Sequence, residues 1–305
     1  MNEAIILMYH GTPSVESRLP AGREPGAEIY DVPLVNFSQQ MKYLQESSAT
    51  ASQLSTESEI PWRFTRLYFP KRQEKKYCVT TLSLTKKEIE KNGRDKAVII
   101  TFDDGEASNF DEAFPVLKAC GFPAYFFVTV SRIGQPGYMS WEQLEKLCAA
   151  GMIVGSHGLN HKILVDLPQE ELMKELSESK RILEDNLKRE ITDFSVPRGF
   201  YDSAVLTFAI QAGYRHIFVS QKNTAVNLAH QCFDRLALKG NWSLPRFAAA
   251  LDGHLPWQER CREYFLQSAK TILGRKLYNA ARTAVLRFYT GKNKLPLSSC
   301  VEKGV

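Results

Sequence analysis

The chain has 305 residues, of which 44% are hydrophobic and 24% are charged, as is ordinary for globular proteins. This length is sufficient for one large α/β barrel or two smaller domains, and the composition argues against wholesale disorder. The net charge is +5, and no stretch reaches the roughly 18 apolar residues that a membrane-spanning helix requires.

The cysteines and the N-terminus bear on the cellular compartment. The six cysteines form no Cys-x-x-Cys pair, and several lie in apolar surroundings, where a small buried thiol is expected. The first ten residues lack both the basic segment and the long apolar run of a signal peptide. These features predict a reduced, cytoplasmic protein without an export signal of its own.

The N-terminal third contains one predicted strand and one predicted helix. The apolar run Ala4 to Tyr9 predicts a buried strand, and residues 11–33 are rich in Gly and Pro, as is typical of a loop. The spacing of apolar residues predicts a helix over Phe37 to Leu44. Residues 46–96 are interpreted as an insertion without a clear pattern of strands and helices. Within it, the sequence predicts a short helix that Thr85 caps.

From residue 97 onward, predicted strands alternate with predicted helices. The strands are Ala97 to Phe102, Ala124 to Val130, Met152 to Gly155, Asp193 to Val196 and Tyr214 to Val219. The helices are Phe110 to Ala119, Ser140 to about Ala150, Pro168 to Leu187 and Ser203 to Ala212. This alternation predicts parallel strands with helical crossovers, in a (β/α) barrel or a doubly wound sheet. Polar residues follow several of the strands, where such folds carry their chemistry.

Two adjacent carboxylates, Asp103 and Asp104, follow the most apolar of these strands. Neighbouring side chains of an extended chain point to opposite sides, so one carboxylate can reach a metal ion while the other faces a substrate. Two exposed acids in a turn are the alternative. Burying unpaired carboxylates at the end of a core strand is costly, which favours a functional site.

Two histidines, His157 and His161, follow another short strand at the spacing His-x3-His. If this segment turns helically, the two imidazoles share one face and can bind one metal ion. One Asp with two His leaves a coordination position open for water, as in catalytic rather than structural zinc sites.

These segments together resemble a known family. Thr-Phe-Asp-Asp-Gly (101–105) and Ser-His-Gly-Leu-Asn-His (156–161) are similar to the first two motifs of the polysaccharide deacetylases, carbohydrate esterase family 4 with its NodB homology domain. Phe-Ser-Val-Pro-Arg-Gly-Phe-Tyr-Asp (194–202) resembles the third motif. The resemblance implies a distorted (β/α) barrel of about seven parallel strands, which we place at residues 1–254.

The resemblance also implies a role for each matching residue. Asp103 is expected to be the general base. Asp104, His157 and His161 are expected to hold a divalent metal ion, zinc before cobalt or nickel. Pro197, Arg198 and Tyr201 are expected to line the substrate groove, the alternative for Arg198 being a surface ion pair.

The chain departs from the family in lacking a late Leu-x-x-His motif with a catalytic acid. Met-Tyr-His-Gly (8–11) instead resembles the first strand of those members that deacetylate poly-N-acetylglucosamine, in which the acid histidine comes first in the chain. His10 is therefore the predicted general acid, and a structural histidine is the alternative. Arg235, near the end of the predicted barrel, either pairs with a site carboxylate or lies at the surface.

The C-terminal segment 255–305 is predicted to be a basic, amphipathic helical extension. It contains ten Lys and Arg against three Glu, a net charge of about +7. Such a helix over 259–294 can lie on an anionic membrane surface, and packing on the barrel or on another subunit is the alternative. Nucleic acid is not an expected partner, because the sequence contains no recognisable nucleic-acid-binding motif.

The sequence thus predicts a metal-dependent hydrolase that removes N-acetyl groups from the amino sugars of a polysaccharide or glycan precursor. The alternatives are a deacylase of a lipid-linked sugar at the inner membrane face and a non-catalytic glycan-binding or assembly protein on the same fold. The non-catalytic alternative is disfavoured because the chain retains all four expected site residues, Asp103, Asp104, His157 and His161.

Overall fold

The computed structural model describes residues 4–17, 19–20, 23–24, 26–48, 77–82, 96–220 and 232–254. The chain divides into two compact units: Met1–Ala21 with Tyr30–Leu244, and Gly22–Ile29 with Pro245–Val305. Most of the predicted insertion at 46–96, including the helix at Thr85, and the whole predicted tail at 255–305 lie outside the described residues. The division into 1–254 and 255–305 therefore stays a prediction.

The described part of the first unit contains a single sheet in which every strand pairing is parallel. Its strands are β1 (Ile5–Tyr9), β2 (Tyr77–Val79), β3 (Lys96–Phe102), β4 (Tyr125–Val128), β5 (Ile153–Ser156), β6 (Asp193–Ser195), β7 (His216–Val219), β8 (Cys232–Asp234) and β9 (Leu236–Ala237). The β-branched and aromatic residues of β3 and β4 account for their strand conformation.

The sheet is almost closed into a barrel. The strand order is β8-β7-β6-β5-β4-β3-β1-β9, and β2 pairs with β3 beside this path. Only Arg235 separates β8 from β9, so the two act as one bent strand that pairs with β7 on one side and with β1 on the other. Seven strands therefore complete the circuit, which confirms the predicted distorted (β/α) barrel.

Within the described residues, helices follow most of the strands. They are α1 (Leu34–Ser48), α2 (Phe114–Cys120), α3 (Trp141–Ala149), α4 (Gln169–Leu187), α5 (Ser203–Gln211) and α6 (Leu244–Leu251), the last lying almost entirely in the second unit. Ser140 and Gln143 form the predicted capping box of α3. Within the described residues, no helix combines the length and the apolar character that crossing a bilayer requires.

Aromatic and branched side chains fill the barrel interior. Ile6, Ile99, Tyr125, Phe127, Phe218 and Phe233 form one buried cluster. Side chains alternate along a strand, so the residues two or four positions further on face the same side. His10, Asp103 and Arg235 stand at such positions, at the carboxyl ends of the strands, where barrels carry their chemistry.

Two local predictions differ from the structure. The helix predicted over Phe110 to Ala119 begins instead as a π-helical turn at Asn109–Ala113, and α2 starts at Phe114. Pro115 lacks an N–H and clashes with a regular preceding turn, which explains the break. Pro168, predicted at the first helical position, is the N-cap residue of α4.

Candidate active site

Asp104, His157 and His161 converge at one end of the barrel. One ligand atom from each lies within 4.8 Å of the other two. The Oδ1 atom of Asp104 lies 3.2 Å from Nε2 of His161 and 3.9 Å from Nε2 of His157. The two imidazole centroids are 4.9 Å apart. A carboxylate with two imidazoles is a donor set suited to a divalent transition metal, and the three predicted ligands thus form one cluster.

The segment that carries the two histidines forms a turn and not a helix. The helical conformation considered from the sequence is therefore wrong. Gly158 has φ of +78° and His161 has φ of +57°, both in the left-handed region. These residues reverse the chain direction and bring the two rings together within five residues. Glycine adopts such a conformation without strain, whereas for histidine it is uncommon and must be held by the surroundings.

Glu175 of α4 holds this turn in place. Its buried carboxylate accepts hydrogen bonds from the backbone N–H of Leu159 at 3.1 Å and of Asn160 at 2.9 Å, and from the side-chain amide of Asn160 at 2.7 Å. Three donors from the turn thus compensate one buried carboxylate, and the loop has a fixed anchor on the barrel wall.

The environment of His157 leaves one of its ring nitrogens available to a metal ion. Its Nδ1 lies 2.8 Å from the carbonyl oxygen of Ser195 at the end of β6. A carbonyl only accepts hydrogen bonds, so Nδ1 carries the proton and Nε2 presents its lone pair to Asp104. Burial lowers the pKa of His157 to about 4, which keeps the imidazole neutral at pH 7.

Asp103 lies beside this cluster and is paired with Arg235. The two guanidinium Nη atoms of Arg235 each donate to one carboxylate oxygen of Asp103, both at 2.7 Å. The hydroxyl of Ser195 also lies 3.2 Å from Oδ2 of Asp103. The side chains of both ionic partners are almost completely buried. The structure thus decides the alternatives for Arg235, which pairs with a site carboxylate.

The two carboxylates are held in their ionised form. Burial alone would raise the pKa of Asp103, but the charge and hydrogen bonds of Arg235 outweigh burial and hold it well below its usual range. Burial likewise opposes ionisation of Asp104, and the neighbouring His161, His10, His157 and Arg132 lower its pKa. Asp104 has φ of +71°, so the chain turns sharply between the two carboxylates.

His10 faces the same end of the barrel. The N–H of Asp103 donates to the carbonyl of Tyr9, which extends the β1–β3 pairing and sets His10 next to Asp103. Its electrostatic interaction with both site aspartates contributes to lowering their pKa values, which shows that it lies close to them. The ring packs against Tyr30 at 5.1 Å, and Asn109 donates to the His10 carbonyl at 2.7 Å.

The three predicted substrate residues lie in different surroundings. Pro197 is buried, and its ring lies close to Gly158 in the histidine turn (residues 157–161). The distance is 3.5 Å from the ring to the position that a β-carbon on Gly158 would occupy. Arg198 is exposed and has φ of +58°. The Tyr201 side chain hydrogen-bonds to the thiol of Cys232 in β8. Their role in substrate binding stays a prediction.

Three residues of this arrangement were not predicted: Ser195, Glu175 and Arg132. Glu175 had a usable signal, because it falls on the buried stripe of α4 with Leu172, Leu176, Ser179 and Leu183, where a charged residue is unexpected. Arg132 had none, because its position depends on how a loop folds.

The fold and this Asp–His–His cluster at its strand ends define a parallel (β/α) barrel with a candidate metal site. The family model "polysaccharide deacetylase" matches residues 90–217, a range that contains Asp103, Asp104, His157 and His161. Residues 90–217 thus match a polysaccharide deacetylase domain, as the motifs in this range indicated.

Individual relatives agree with this assignment. The Bacillus subtilis protein YxkH, which carries the name of a polysaccharide deacetylase, is 32% identical over 126 residues, 41% of this chain and 45% of its own length. The poly-β-1,6-N-acetyl-D-glucosamine N-deacetylase of Staphylococcus aureus is 24% identical over 203 residues, 60% of this chain and 65% of its own length. The chain thus spans less than two thirds of these relatives.

Solved structures confirm the fold. The deacetylase PplD of Streptococcus pyogenes, in complex with acetate, superposes with a TM-score of 0.58 at 18% identity, covering 83% of this chain and 99% of that one. IcaB from Ammonifex degensii gives a TM-score of 0.56 at 19% identity, covering 84% and 98%.

Proposed function

We propose that this chain is a metal-dependent deacetylase that hydrolyses the N-acetyl groups of amino sugars in a polysaccharide. The observation that carries the proposal is the convergence of Asp104, His157 and His161 beside an ionised, buried Asp103. The family match at 90–217 and the similarity to a poly-N-acetylglucosamine deacetylase support the choice of reaction and substrate class.

The residues present fit a divalent ion. Asp104, His157 and His161 would hold it, and His157 is already fixed in the tautomer that offers Nε2. Mixed imidazole and carboxylate ligands favour zinc, with cobalt and nickel as workable substitutes. A bound ion would supply Lewis acidity, which polarises the amide carbonyl and makes water a better nucleophile.

Asp103 is proposed as the general base. It is ionised at neutral pH and lies next to the metal ligands, so one of its oxygens accepts a proton from the attacking water as the new C–O bond forms. A carboxylate has about four lone-pair positions, so acceptance of the bonds from Arg235 and Ser195 does not exhaust Asp103. Arg235 fixes the orientation of the carboxylate.

His10 is proposed as the general acid. Cleavage of the C–N bond leaves an amine that must gain a proton, because an unprotonated amide anion is a very poor leaving group. His10 faces the same end of the barrel as Asp103 and Asp104, and its ring is held against Tyr30. Acetate and the protonated sugar amine are the products.

The direct test is acetate release from N-acetylglucosamine oligomers by the purified chain. We expect a chelator to abolish activity, zinc or cobalt to restore it, and Asp103→Asn and His157→Ala each to lower kcat at least about 100-fold, within the range that one acid–base group contributes. Asp185→Asn is the matched control, because Asp185 forms an exposed ion pair with Arg181 on α4.

Two results would overturn the proposal. Activity that survives complete metal removal would rule out the metal-dependent mechanism. Activity in the Asp103→Asn and His157→Ala variants equal to that of the Asp185→Asn control would rule out the assigned site.

The location of the protein is a separate proposal. We propose that the chain acts in the cytoplasm and reaches the inner membrane face through residues 259–294, where a lipid-linked sugar is an alternative substrate. Residues 255–305 contain ten basic and three acidic residues, and this excess of positive charge supports the contact. Fractionation of cells into soluble and membrane pools tests this location. Recovery of the protein on the outer side of the cytoplasmic membrane would refute it.

A further inference from the structure

Arg132 contacts the same carboxylate oxygen that faces both histidines. Its Nη1 donates to Oδ1 of Asp104 at 3.1 Å. That oxygen also lies 3.2 Å from Nε2 of His161 and 3.9 Å from Nε2 of His157. The side chains are only 22% exposed for Arg132 and 16% for Asp104, so solvent screens the pair incompletely.

The segment that carries Arg132 is tied to both halves of the metal cluster. The N–H groups of Val130 and Ser131 donate to the carbonyls of Gly158 and Leu159 in the histidine turn, at 3.2 and 2.9 Å. On the other side, the N–H of Met139 donates to the carbonyl of Gly105, next to Asp104, at 3.0 Å. Arg132 is therefore held against the site and is not a mobile surface side chain.

An aromatic ring also fixes the direction of the guanidinium. The Arg132 group lies over the ring of Tyr138 at 5.3 Å, within the range of a cation–π contact. The N–H of Gln135 donates to the carbonyl of Arg132 and so closes the turn that follows it. The backbone, the ring and the carboxylate together orient the guanidinium towards Asp104.

We propose that Arg132 is a positioning residue of the metal site, which shares Oδ1 of Asp104 with the ion and lowers the affinity of the site for that ion. This inference rests on the proposed function, because it concerns the same site. It adds a cationic residue to a cluster that the sequence and the family motifs describe with one aspartate and two histidines.

The physical argument concerns charge. A carboxylate oxygen has two lone pairs, so Oδ1 can accept the guanidinium bond and still bind an ion. The guanidinium would then draw electron density from the ligand and would repel a divalent ion held by Asp104 in this weakly screened environment. An ion held by one carboxylate beside a cationic side chain would keep more of its positive charge, which would strengthen its polarisation of a substrate carbonyl.

The experiment measures zinc affinity by competition with a chromophoric chelator for the full-length chain. Arg132→Gln keeps a hydrogen-bond donor without the charge, Arg132→Met keeps only the volume, and Arg132→Lys keeps the charge. We expect Gln and Met to bind zinc roughly ten-fold more tightly than wild type and Lys to stay within about three-fold of it, given the usual size of such effects. Arg181→Gln, at an exposed ion pair, is the control.

The outcomes separate this inference from the proposed function. If wild type binds zinc while the Gln and Met variants bind it equally or more weakly, Arg132 does not lower the affinity and the inference is overturned. If wild type binds neither zinc nor cobalt, the proposed function fails. Thermal melts of the metal-free variants, with rescue by Lys, show whether a change in affinity reflects charge or misfolding.

Discussion

The Arg235 guanidinium binds both oxygens of Asp103 at 2.7 Å, from the short interval between β8 and β9 that closes the barrel. The residue that completes the circuit of strands is thus also the residue that fixes the proposed base. The same guanidinium donates to the hydroxyls of Thr101 at 3.2 Å and Ser195 at 2.8 Å, on β3 and β6. One side chain at the point of barrel closure therefore links β3, β6 and the carboxylate of Asp103.

This relationship predicts a strong coupling in stability. Arg235→Met leaves Asp103 buried without its ionic partner, and we expect it to lower the free energy of unfolding by about 3–5 kcal/mol. Asp103→Leu should be destabilising to a similar extent for the converse reason. The double variant should lose less than the sum, because neither charge is then left unpaired. Urea denaturation of the four proteins measures the coupling, and strict additivity would contradict the pairing.

The Glu175 anchor predicts a selective loss of metal affinity. Glu175→Leu removes the acceptor for three hydrogen bonds from the histidine turn, and we expect zinc to bind about 10- to 100-fold more weakly. Glu175→Gln should be milder, because one amide oxygen still accepts from the backbone of Leu159 and Asn160. Chelator competition measures both.

The control for Glu175 is one helical turn away. Glu171 forms an exposed ion pair with Lys162 at 3.3 Å, and exposed pairs contribute little. Glu171→Leu should leave the zinc affinity unchanged. Equal effects at Glu171 and Glu175 would show that α4 contributes only general stability.

The sequence predicted the parts of the site that follow directly from strand ends. Asp103 and Asp104 stand after β3 and His157 stands after β5, as the apolar runs indicated. The alternation of strands and helices also predicted parallel strands with helical crossovers, in a barrel or a doubly wound sheet. Local pattern is sufficient for these features, because each depends on a few consecutive residues.

Other parts depend on contacts between distant segments and were beyond local pattern. The histidine turn requires left-handed conformations at Gly158 and His161, which Glu175 stabilises from a different element. Arg132 reaches Asp104 because backbone bonds fix its loop to two others. The pairing of Arg235 with Asp103 spans 132 positions in the chain.

Burial of His157 predicts a pH dependence of the metal-free protein. Its pKa is about 4 when folded, against an ordinary value of 6.5, so the unfolded chain binds more protons between these values. The resulting stability is present in full above pH 6.5 and is lost as the pH falls towards 4, by roughly 3 kcal/mol. Unfolding measured in chelator across this range should show the slope, and His157→Gln should flatten it.

The basic tail predicts binding to anionic lipid. We expect the full-length chain to co-sediment with vesicles that contain phosphatidylglycerol and to be released by salt, because the attraction is electrostatic. Replacing Arg275, Lys276, Arg282 and Arg287 by Gln should abolish the binding. Replacing four basic residues of the barrel region, Lys118, Lys146, Lys174 and Arg181, provides a control of equal charge. Equal loss in both variants would assign the binding to net charge.

His10 as general acid predicts a dependence on the leaving group. His10→Phe keeps a ring to pack against Tyr30 and removes every proton donor of the side chain. An amine must be protonated as it leaves, whereas the phenolate of a phenol with a low pKa departs without a proton. The variant should therefore lose at least about 100-fold in acetate release from N-acetylglucosamine oligomers, yet hydrolyse an aryl acetate nearly as fast as wild type. Asp103→Asn should lose both activities, because both reactions need the attacking water to lose a proton. Parallel loss of both activities in His10→Phe would instead assign His10 to the structure of the site, which the sequence alone left as the alternative.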